Sequence, residues 1–142
     1  MYLRLFNLNI MLKLTAIYAA ILTFVYVKLA LNVINLRRQN EVSLGDGGRE
    51  DLQQAIRSHG NFAEYVPLGL ILLGCLEANH IHWTIVLLLG GVFTAGRLYY
   101  AKAFLEATPN MELRVKGMKY TLWGLQALAA TNVIALIIQK IL

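Results

Sequence analysis

Four long apolar runs dominate the chain, and shorter polar stretches separate them. The runs cover roughly residues 12–36, 52–76, 83–104 and 114–142. Each has about the 20 residues that a helix needs to cross the hydrocarbon core of a bilayer. The apolar positions are continuous rather than alternating, which argues against transmembrane β-structure. The pattern therefore predicts an all-α, integral membrane protein with four spanning helices.

The polar connections predict how these helices are joined. Residues 37–51 form a charged stretch with a glycine-rich turn, residues 77–82 form a short hairpin, and residues 105–113 contain the turn signal Pro109-Asn110. Short connections favour antiparallel neighbours. We therefore expect residues 1–142 to form a single domain, an up-down-up-down four-helix bundle.

The basic residues predict the orientation of this bundle. Lys and Arg cluster in and beside the first and third connections, and the second connection contains neither residue. Because cytoplasmic loops carry an excess of Lys and Arg, we expect the first and third connections to face the cytoplasm. Both termini would then lie on the far side, although Arg4, Lys13 and Lys140 count weakly against this orientation.

Composition supports a membrane protein and narrows its partners. The chain is 58% hydrophobic and 15% charged, whereas soluble domains are about half apolar and about a quarter charged. The net charge of +5 is explained by cytoplasmic loops, so no nucleic-acid partner is expected. Cys75, the single cysteine, cannot form an intrachain disulfide and is expected to be a small buried core residue.

The beginning of the chain does not resemble a cleavable signal peptide. The first apolar run continues through "LALNVINL" and has no small-residue cleavage site. Residues 1–10 differ in pattern from the helix that follows, so Met11 is an alternative start.

The second apolar run begins with a polar stripe. Arg57, Asn61 and Glu64 are spaced so that they fall on one face of a helix. Such a stripe is costly if it faces lipid, so we expect it to face the bundle, a neighbouring subunit or a wet cavity. The alternative is an Arg57–Glu64 pair within the helix at the membrane surface.

Further polar residues lie at the same end of the predicted bundle: Arg37, Arg38, Arg97, Tyr100 and Arg114. Taken singly, they are ordinary basic flanks and interfacial tyrosines. Taken together with the stripe, they predict a cationic pocket with one carboxylate. Such a pocket suits a small, zwitterionic and mostly anionic ligand, because arginine binds carboxylates with two parallel hydrogen bonds.

These motifs resemble the MAPEG family, the membrane-associated proteins of eicosanoid and glutathione metabolism. The segment "RSHGNFAEYVPL", Arg57–Leu68, resembles the family's Arg-x-x-x-Asn-x-x-Glu-aromatic-x-Pro motif. "INLRRQNEVS" and "AGRLYY" resemble the ends of its first and third helices. "LGDGG" and "AIRSHGNFAEYVP" are similar to segments of the small bacterial inner-membrane members, and the resemblance covers nearly the whole chain.

The resemblance implies a homotrimer that binds glutathione as a cosubstrate between adjacent subunits, near the cytoplasmic surface. The implied glutathione-binding residues are Arg37, Arg57, His59, Asn61, Glu64, Tyr65, Arg97 and Tyr100. Arg37 would take the glycine carboxylate, and the stripe with Tyr100 would hold the γ-glutamyl end. Arg114, or failing that Arg38, would lie near the thiol and lower its pKa.

The implied activity is that of a glutathione transferase or peroxidase acting on a lipophilic electrophile or hydroperoxide that enters from membrane lipid. Phe104 stands where the leukotriene-synthase branch has a second tyrosine. The alternative is therefore a catalytically silent scaffold or partner-binding protein with the same fold. A transporter is disfavoured, because the first, third and fourth helices carry no mid-membrane ionisable group. His80-x-His82 lacks further ligands at typical spacing, so no metal is expected.

Overall fold

The computed structural model describes residues 12–106 and 110–141, and these residues form four α-helices and no strand. The helices are α1 (Lys13–Gln39), α2 (Glu50–Ala78), α3 (Trp83–Leu105) and α4 (Met111–Ile141). Each is long and apolar enough to cross a membrane. The prediction of an all-α chain with four spanning helices is confirmed. Met11 and Pro109 lie outside the described residues.

The helices extend into segments that the hydropathy pattern assigned to connections. Arg37 and Arg38 belong to the last turn of α1, and Glu77 lies near the end of α2. α2 begins at Glu50, whose carboxylate complements the partial positive charge of a helix N-terminus. The turn before it contains glycines with positive φ: Gly45, Gly47 and Gly48.

α2 and α3 form the centre of the bundle. α1 and α4 each contact both central helices, but over the described residues they do not contact each other. α3 and α4 approach most closely, because a side-chain methyl at Gly117 would lie 2.5 Å from the backbone nitrogen of Tyr100. Glycine at this position therefore fixes the register of the two helices and sets Tyr100 beside the first turns of α4.

The interior is apolar, and much of the outer surface is apolar too. The core includes Leu22, Leu29, Leu73, Leu76, Val86, Phe93 and Leu128. On the outside, Phe24 is 78% exposed, which suits contact with lipid or a second subunit. Cys75 was predicted to be buried and is exposed. That prediction is wrong because an apolar run does not distinguish a core-facing from an outward-facing position.

A carboxylate from α2 holds the start of α1. Glu77 accepts hydrogen bonds from the backbone N–H groups of Leu14 and Thr15, both at 2.9 Å, and from the Thr15 hydroxyl at 2.8 Å. The first N–H groups of a helix have no partner within the helix, and their partial positive charge favours an anion. These three residues, Leu14, Thr15 and Glu77, are called the Glu77 cluster below.

Other polar side chains near the Glu77 cluster are also bonded. The Tyr18 hydroxyl donates to the carbonyl oxygen of Leu87 at 2.7 Å. Asn132 Nδ2 donates to the carbonyl oxygens of Leu72 and Leu128, at 3.0 and 2.9 Å. The start of α1, the end of α2, the start of α3 and the late part of α4 are thus tied together by satisfied polar groups.

Candidate functional site

Arg97, in α3, is the charged side chain most deeply enclosed in the described part of the chain. It is 0% exposed, and its Nη2 donates to Asn61 Oδ1 at 3.1 Å. Its Nε and Nη1 have no hydrogen-bond partner among the described residues. Burying a charge without a counter-charge is costly, so this position is a candidate for function. The interpretation of Arg97 as a surface anchor is wrong.

Aromatic rings enclose the guanidinium of Arg97. Its central carbon lies 4.6 Å from the ring centroid of Tyr100, 5.4 Å from that of Phe62 and 5.5 Å from that of Tyr65. Cation–π attraction to these rings offsets part of the loss of hydration. Asn61, Phe62, Tyr65, Arg97 and Tyr100 are called the Arg97 cluster below.

Tyr100 lies in the electrostatic surroundings of cations from three helices. Arg57 of α2, Arg97 of α3 and Arg114 of α4 all act on it electrostatically. The guanidinium carbon of Arg114 lies 5.4 Å from the ring centroid of Phe104, and that ring lies 5.2 Å from the Tyr100 ring. The structure therefore brings four of the predicted site residues together at this end of the bundle.

The predicted stripe on α2 is divided between the inside and the outside of the chain. Asn61 is 8% exposed and is turned towards α3, whereas Arg57 and Glu64 are exposed. The described salt bridges do not include one between Arg57 and Glu64, so the alternative of an intrahelical ion pair is not realised. Their charged groups are left open to a ligand or to a neighbouring subunit.

Three further predicted residues lie on α1 and α2: Arg37, Arg38 and His59. The His59 and Tyr26 rings lie 4.7 Å apart, and His59 Nε2 and Arg37 Nη1 are buried without a hydrogen-bond partner. Arg37 and Arg38 line an open groove of about 360 Å³. Tyr26, Arg37, Arg38 and His59 are called the α1–α2 set below.

Within one chain, the α1–α2 set and the exposed stripe point in different directions. Residues two apart on a helix are about 200° apart around its axis, so His59 and Arg57 lie on opposite sides of α2. One chain therefore presents two partial sites.

Two buried hydroxyls near the Arg97 cluster were not predicted. Ser58 Oγ and Thr94 Oγ1 have no hydrogen-bond partner among the described residues. Ser58 lies one turn before Asn61, and Thr94 lies one turn before Arg97. For Thr94, a hydroxyl one helical turn before an arginine in an apolar run is the signal that could have identified it, whereas Ser58 lies among polar residues that hide such a signal.

The histidines of the second connection have a local role. His82 Nδ1 accepts a hydrogen bond from the backbone N–H of Thr84 at 3.4 Å and so caps the start of α3. In the part of the chain that the structure describes, no group of three or more His, Cys, Asp and Glu side chains could hold a metal ion.

Four helices of membrane-spanning length, with a buried cationic cluster at one end, define a polytopic membrane protein with a candidate site for a small anion. Residues 15–134 match the profile of the MAPEG family, and the chain belongs to this family. Two similar proteins are both the inner membrane protein YecN, from Escherichia coli strain K12 and from Escherichia coli O6:H1 strain CFT073. Each is 39% identical to this chain over 90 residues, which cover 63% of the chain and 69% of the relative.

Proposed function

We propose that this chain is a membrane-embedded glutathione-dependent transferase or peroxidase that acts on a lipophilic electrophile or hydroperoxide. The observation that carries the proposal is the buried Arg97, bonded to Asn61 and packed on Tyr100, with Arg114 against the neighbouring Phe104 ring. Membership of the MAPEG family and the expected preference of this cationic site for an anionic ligand support it.

The residues present fit the chemistry of glutathione. Glutathione is a zwitterion with carboxylates at both ends, an ammonium group at the γ-glutamyl end and a central thiol. The exposed Arg57 and Glu64 offer opposite charges on one face of α2, with Asn61 between them. In this proposal Arg57 and Asn61 bind the γ-glutamyl carboxylate, and Glu64 binds the ammonium group.

The other end of glutathione requires residues that one chain turns away from this face. Arg37 and His59 both have buried nitrogen atoms without a partner, and His59 lies on the opposite side of α2 from Arg57. We propose a homotrimer in which Arg37 and His59 of one subunit face Arg57 and Glu64 of the next. The glycine carboxylate would then bind to Arg37.

We propose the inner membrane as the location, because the YecN relatives are named inner membrane proteins. Contacts between the start of α1 and the end of α2, and between α3 and α4 around Gly117, support an up-down-up-down course. The first and third connections would face the cytoplasm. Reporter fusions at Asp46 and at the C-terminus should then report opposite sides of the membrane, and the same side for both would contradict this orientation.

Arg114 is proposed to activate the thiol. A neighbouring guanidinium lowers the pKa of a thiol and so raises the fraction of nucleophilic thiolate. The thiolate sulfur would attack an electrophilic carbon, form a C–S bond and displace the leaving group with its electron pair. With a hydroperoxide it would attack the terminal oxygen and break the O–O bond, and a second glutathione would complete the reduction to disulfide, alcohol and water.

A catalytically silent scaffold of the same fold is the second candidate. The Phe104 ring contacts Arg114 at 5.4 Å from centroid to guanidinium carbon, where it covers part of the proposed thiol-activating group. Phenylalanine also offers no hydroxyl to a ligand. A protein of this kind would retain assembly and the membrane fold without turning over glutathione.

The test compares the parent chain with Arg114→Ala in detergent or nanodiscs. The parent should conjugate glutathione to 1-chloro-2,4-dinitrobenzene or reduce cumene hydroperoxide. Arg114→Ala should lower the rate at least about tenfold, the change in thiolate that about one pKa unit produces. Its glutathione affinity should remain within about threefold of the parent value, because only activation of the thiol is removed.

Lys140→Ala removes a basic residue from the last turn of the same helix and should have no effect on the rate. A parent that binds glutathione but shows neither activity would favour the scaffold.

A further inference from the structure

The partner of the buried Arg97 is an amide, although a carboxylate would suit it better. A guanidinium that is 0% exposed would gain a full counter-charge from Asp at position 61. Asn supplies the same acceptor oxygen without that charge, and it differs from Asp by carrying an NH₂ donor. The donor is therefore what the amide adds at this position.

Arg97 determines which way this amide faces. A guanidinium has only donors, so Asn61 must turn Oδ1 towards it, as the 3.1 Å hydrogen bond from Nη2 shows. A rotated amide would place its NH₂ group against the guanidinium and leave both sides without an acceptor. Arg97 cannot easily move to accommodate such a rotation, because the rings of Phe62, Tyr65 and Tyr100 surround it.

The donor end of Asn61 retains some exposure to solvent. Among the described residues Asn61 makes one side-chain hydrogen bond, through Oδ1. Nδ2 is not one of the buried atoms that lack a partner, so it reaches the small exposed part of this side chain, which is 8% exposed. Arg57, one turn before, and Glu64, one turn after, are exposed on the same face.

We infer that Arg97 is a positioning residue that does not touch the ligand but holds Asn61 Nδ2 outward as a donor to a ligand carboxylate. The inference rests on the proposed function, in which this carboxylate belongs to the γ-glutamyl end of glutathione. It also revises the sequence prediction, which placed Arg97 itself among the ligand-binding residues.

One arm of the test needs no ligand. Asn61→Asp keeps an acceptor facing Arg97 and adds a counter-charge, whereas Asn61→Leu removes the acceptor. The midpoint of thermal unfolding of the purified protein should stay at or above the parent value for Asn61→Asp and fall for Asn61→Leu. Equal losses in the two variants would overturn the assigned orientation of Asn61.

The second arm measures ligand discrimination by calorimetric titration. Glutathione is compared with 4-aminobutyryl-Cys-Gly, which lacks the γ-glutamyl carboxylate. Asn61→Asp and Arg97→Met should each weaken glutathione binding at least about tenfold, which is the scale of a lost hydrogen bond to a charged group. Binding of the analogue should stay within about threefold of the parent value. Arg97→Lys should restore part of the glutathione affinity lost in Arg97→Met.

If Arg97 has only a structural role, Arg97→Met should weaken the binding of glutathione and of the analogue by the same factor. This result would overturn the inference. If Arg97→Met does not fold, Asn61→Asp still tests whether Asn61 Nδ2 contacts the carboxylate, and the unfolding measurements decide whether Arg97 orients Asn61. If the parent binds no glutathione, the proposed function falls together with the assignment of the carboxylate. The unfolding measurements then decide whether Arg97 orients Asn61.

Discussion

The Glu77 cluster and the Arg97 cluster both place a charged side chain between helices, but they treat it differently. Glu77 accepts three hydrogen bonds from the start of α1. Arg97 donates one hydrogen bond, and two of its nitrogen atoms have no partner among the described residues. The hydrogen bonds of Glu77 join α1 to α2, whereas Arg97 retains N–H donors that are available for binding.

The same difference extends to the surroundings of the two clusters. Near Glu77, the side chains of Tyr18 and Asn132 donate to backbone carbonyl oxygens of other helices. In the described part of the chain, the buried side-chain atoms without a partner instead belong to residues at or near the Arg97 cluster and the end of α1: Arg37, Ser58, His59, Thr94 and Arg97. Each unsatisfied buried polar group requires an explanation, and several of these lie where the sequence motifs predict ligand binding.

The largest expected effect of a single substitution is on stability, at the Glu77 cluster. Glu77→Ala removes the acceptor for both backbone N–H groups and the Thr15 hydroxyl, so the free energy of unfolding should fall by roughly 3 kcal/mol. Denaturant unfolding in a mild detergent measures it. Glutathione affinity should remain unchanged, because the cluster lies away from the proposed site. Glu112→Ala, which removes an exposed carboxylate from α4, is the control and should be nearly neutral.

The next largest effect is on binding, at the polar stripe. Glu64→Gln should weaken glutathione binding by about 2 kcal/mol, because it removes the charge that is proposed to hold the ammonium group. Unfolding should change by less than about 0.5 kcal/mol, since Glu64 is exposed and unpaired with Arg57. Paired calorimetry and thermal unfolding separate these quantities. Loss of stability without loss of binding would make the stripe structural, like Glu77.

The four helices could be predicted from sequence, because continuous apolar runs are a strong signal for membrane-spanning helices. The candidate stripe could be predicted as well, because Arg57, Asn61 and Glu64 repeat with a helical period. What the period could not show is which of them turns inward. That depends on where α3 lies, and it places Asn61 against Arg97 while Arg57 and Glu64 stay exposed.

Contacts between distant residues were also out of reach of local patterns. Glu77 accepts hydrogen bonds from Leu14 and Thr15, which precede it by 63 and 62 positions. The residues next to Glu77 in the sequence therefore do not indicate its role. Cys75 lies in an apolar run that reads the same whether it faces core or lipid, and its exposure was predicted wrongly. The helical period alone separates His59 from Arg57, but the contact of His59 with Tyr26 appears only once α1 is placed against α2.

A smaller effect is expected where a satisfied polar side chain joins two helices. Asn132→Leu removes the hydrogen bond to the carbonyl oxygen of Leu72 in α2 and should lower the free energy of unfolding by about 1 kcal/mol, the scale of hydrogen bonds between membrane helices. Denaturant unfolding provides the measurement. Asn35→Leu, which changes an exposed asparagine of α1, is the control. An equal loss in both variants would contradict a specific role for Asn132.

The smallest expected effect has the opposite sign. Thr94→Val removes a buried hydroxyl without a partner, so the free energy of unfolding should stay the same or rise by up to about 1 kcal/mol. Thr121→Val removes a buried hydroxyl that donates to the carbonyl oxygen of Gly117 at 2.8 Å, and it should be destabilising. Thermal unfolding of the two variants side by side tests the contrast. A loss at Thr94 as large as that at Thr121 would show that its hydroxyl is satisfied after all.

The central claim is that glutathione binds at the end of the bundle that contains the Arg97 cluster. Calorimetric titration of the purified parent protein with glutathione tests it most directly. Saturable binding of about one glutathione per subunit, as expected for the proposed homotrimer with one site at each subunit boundary, is the result we expect. No saturable heat at millimolar glutathione, from a sample that still unfolds cooperatively, would contradict the claim.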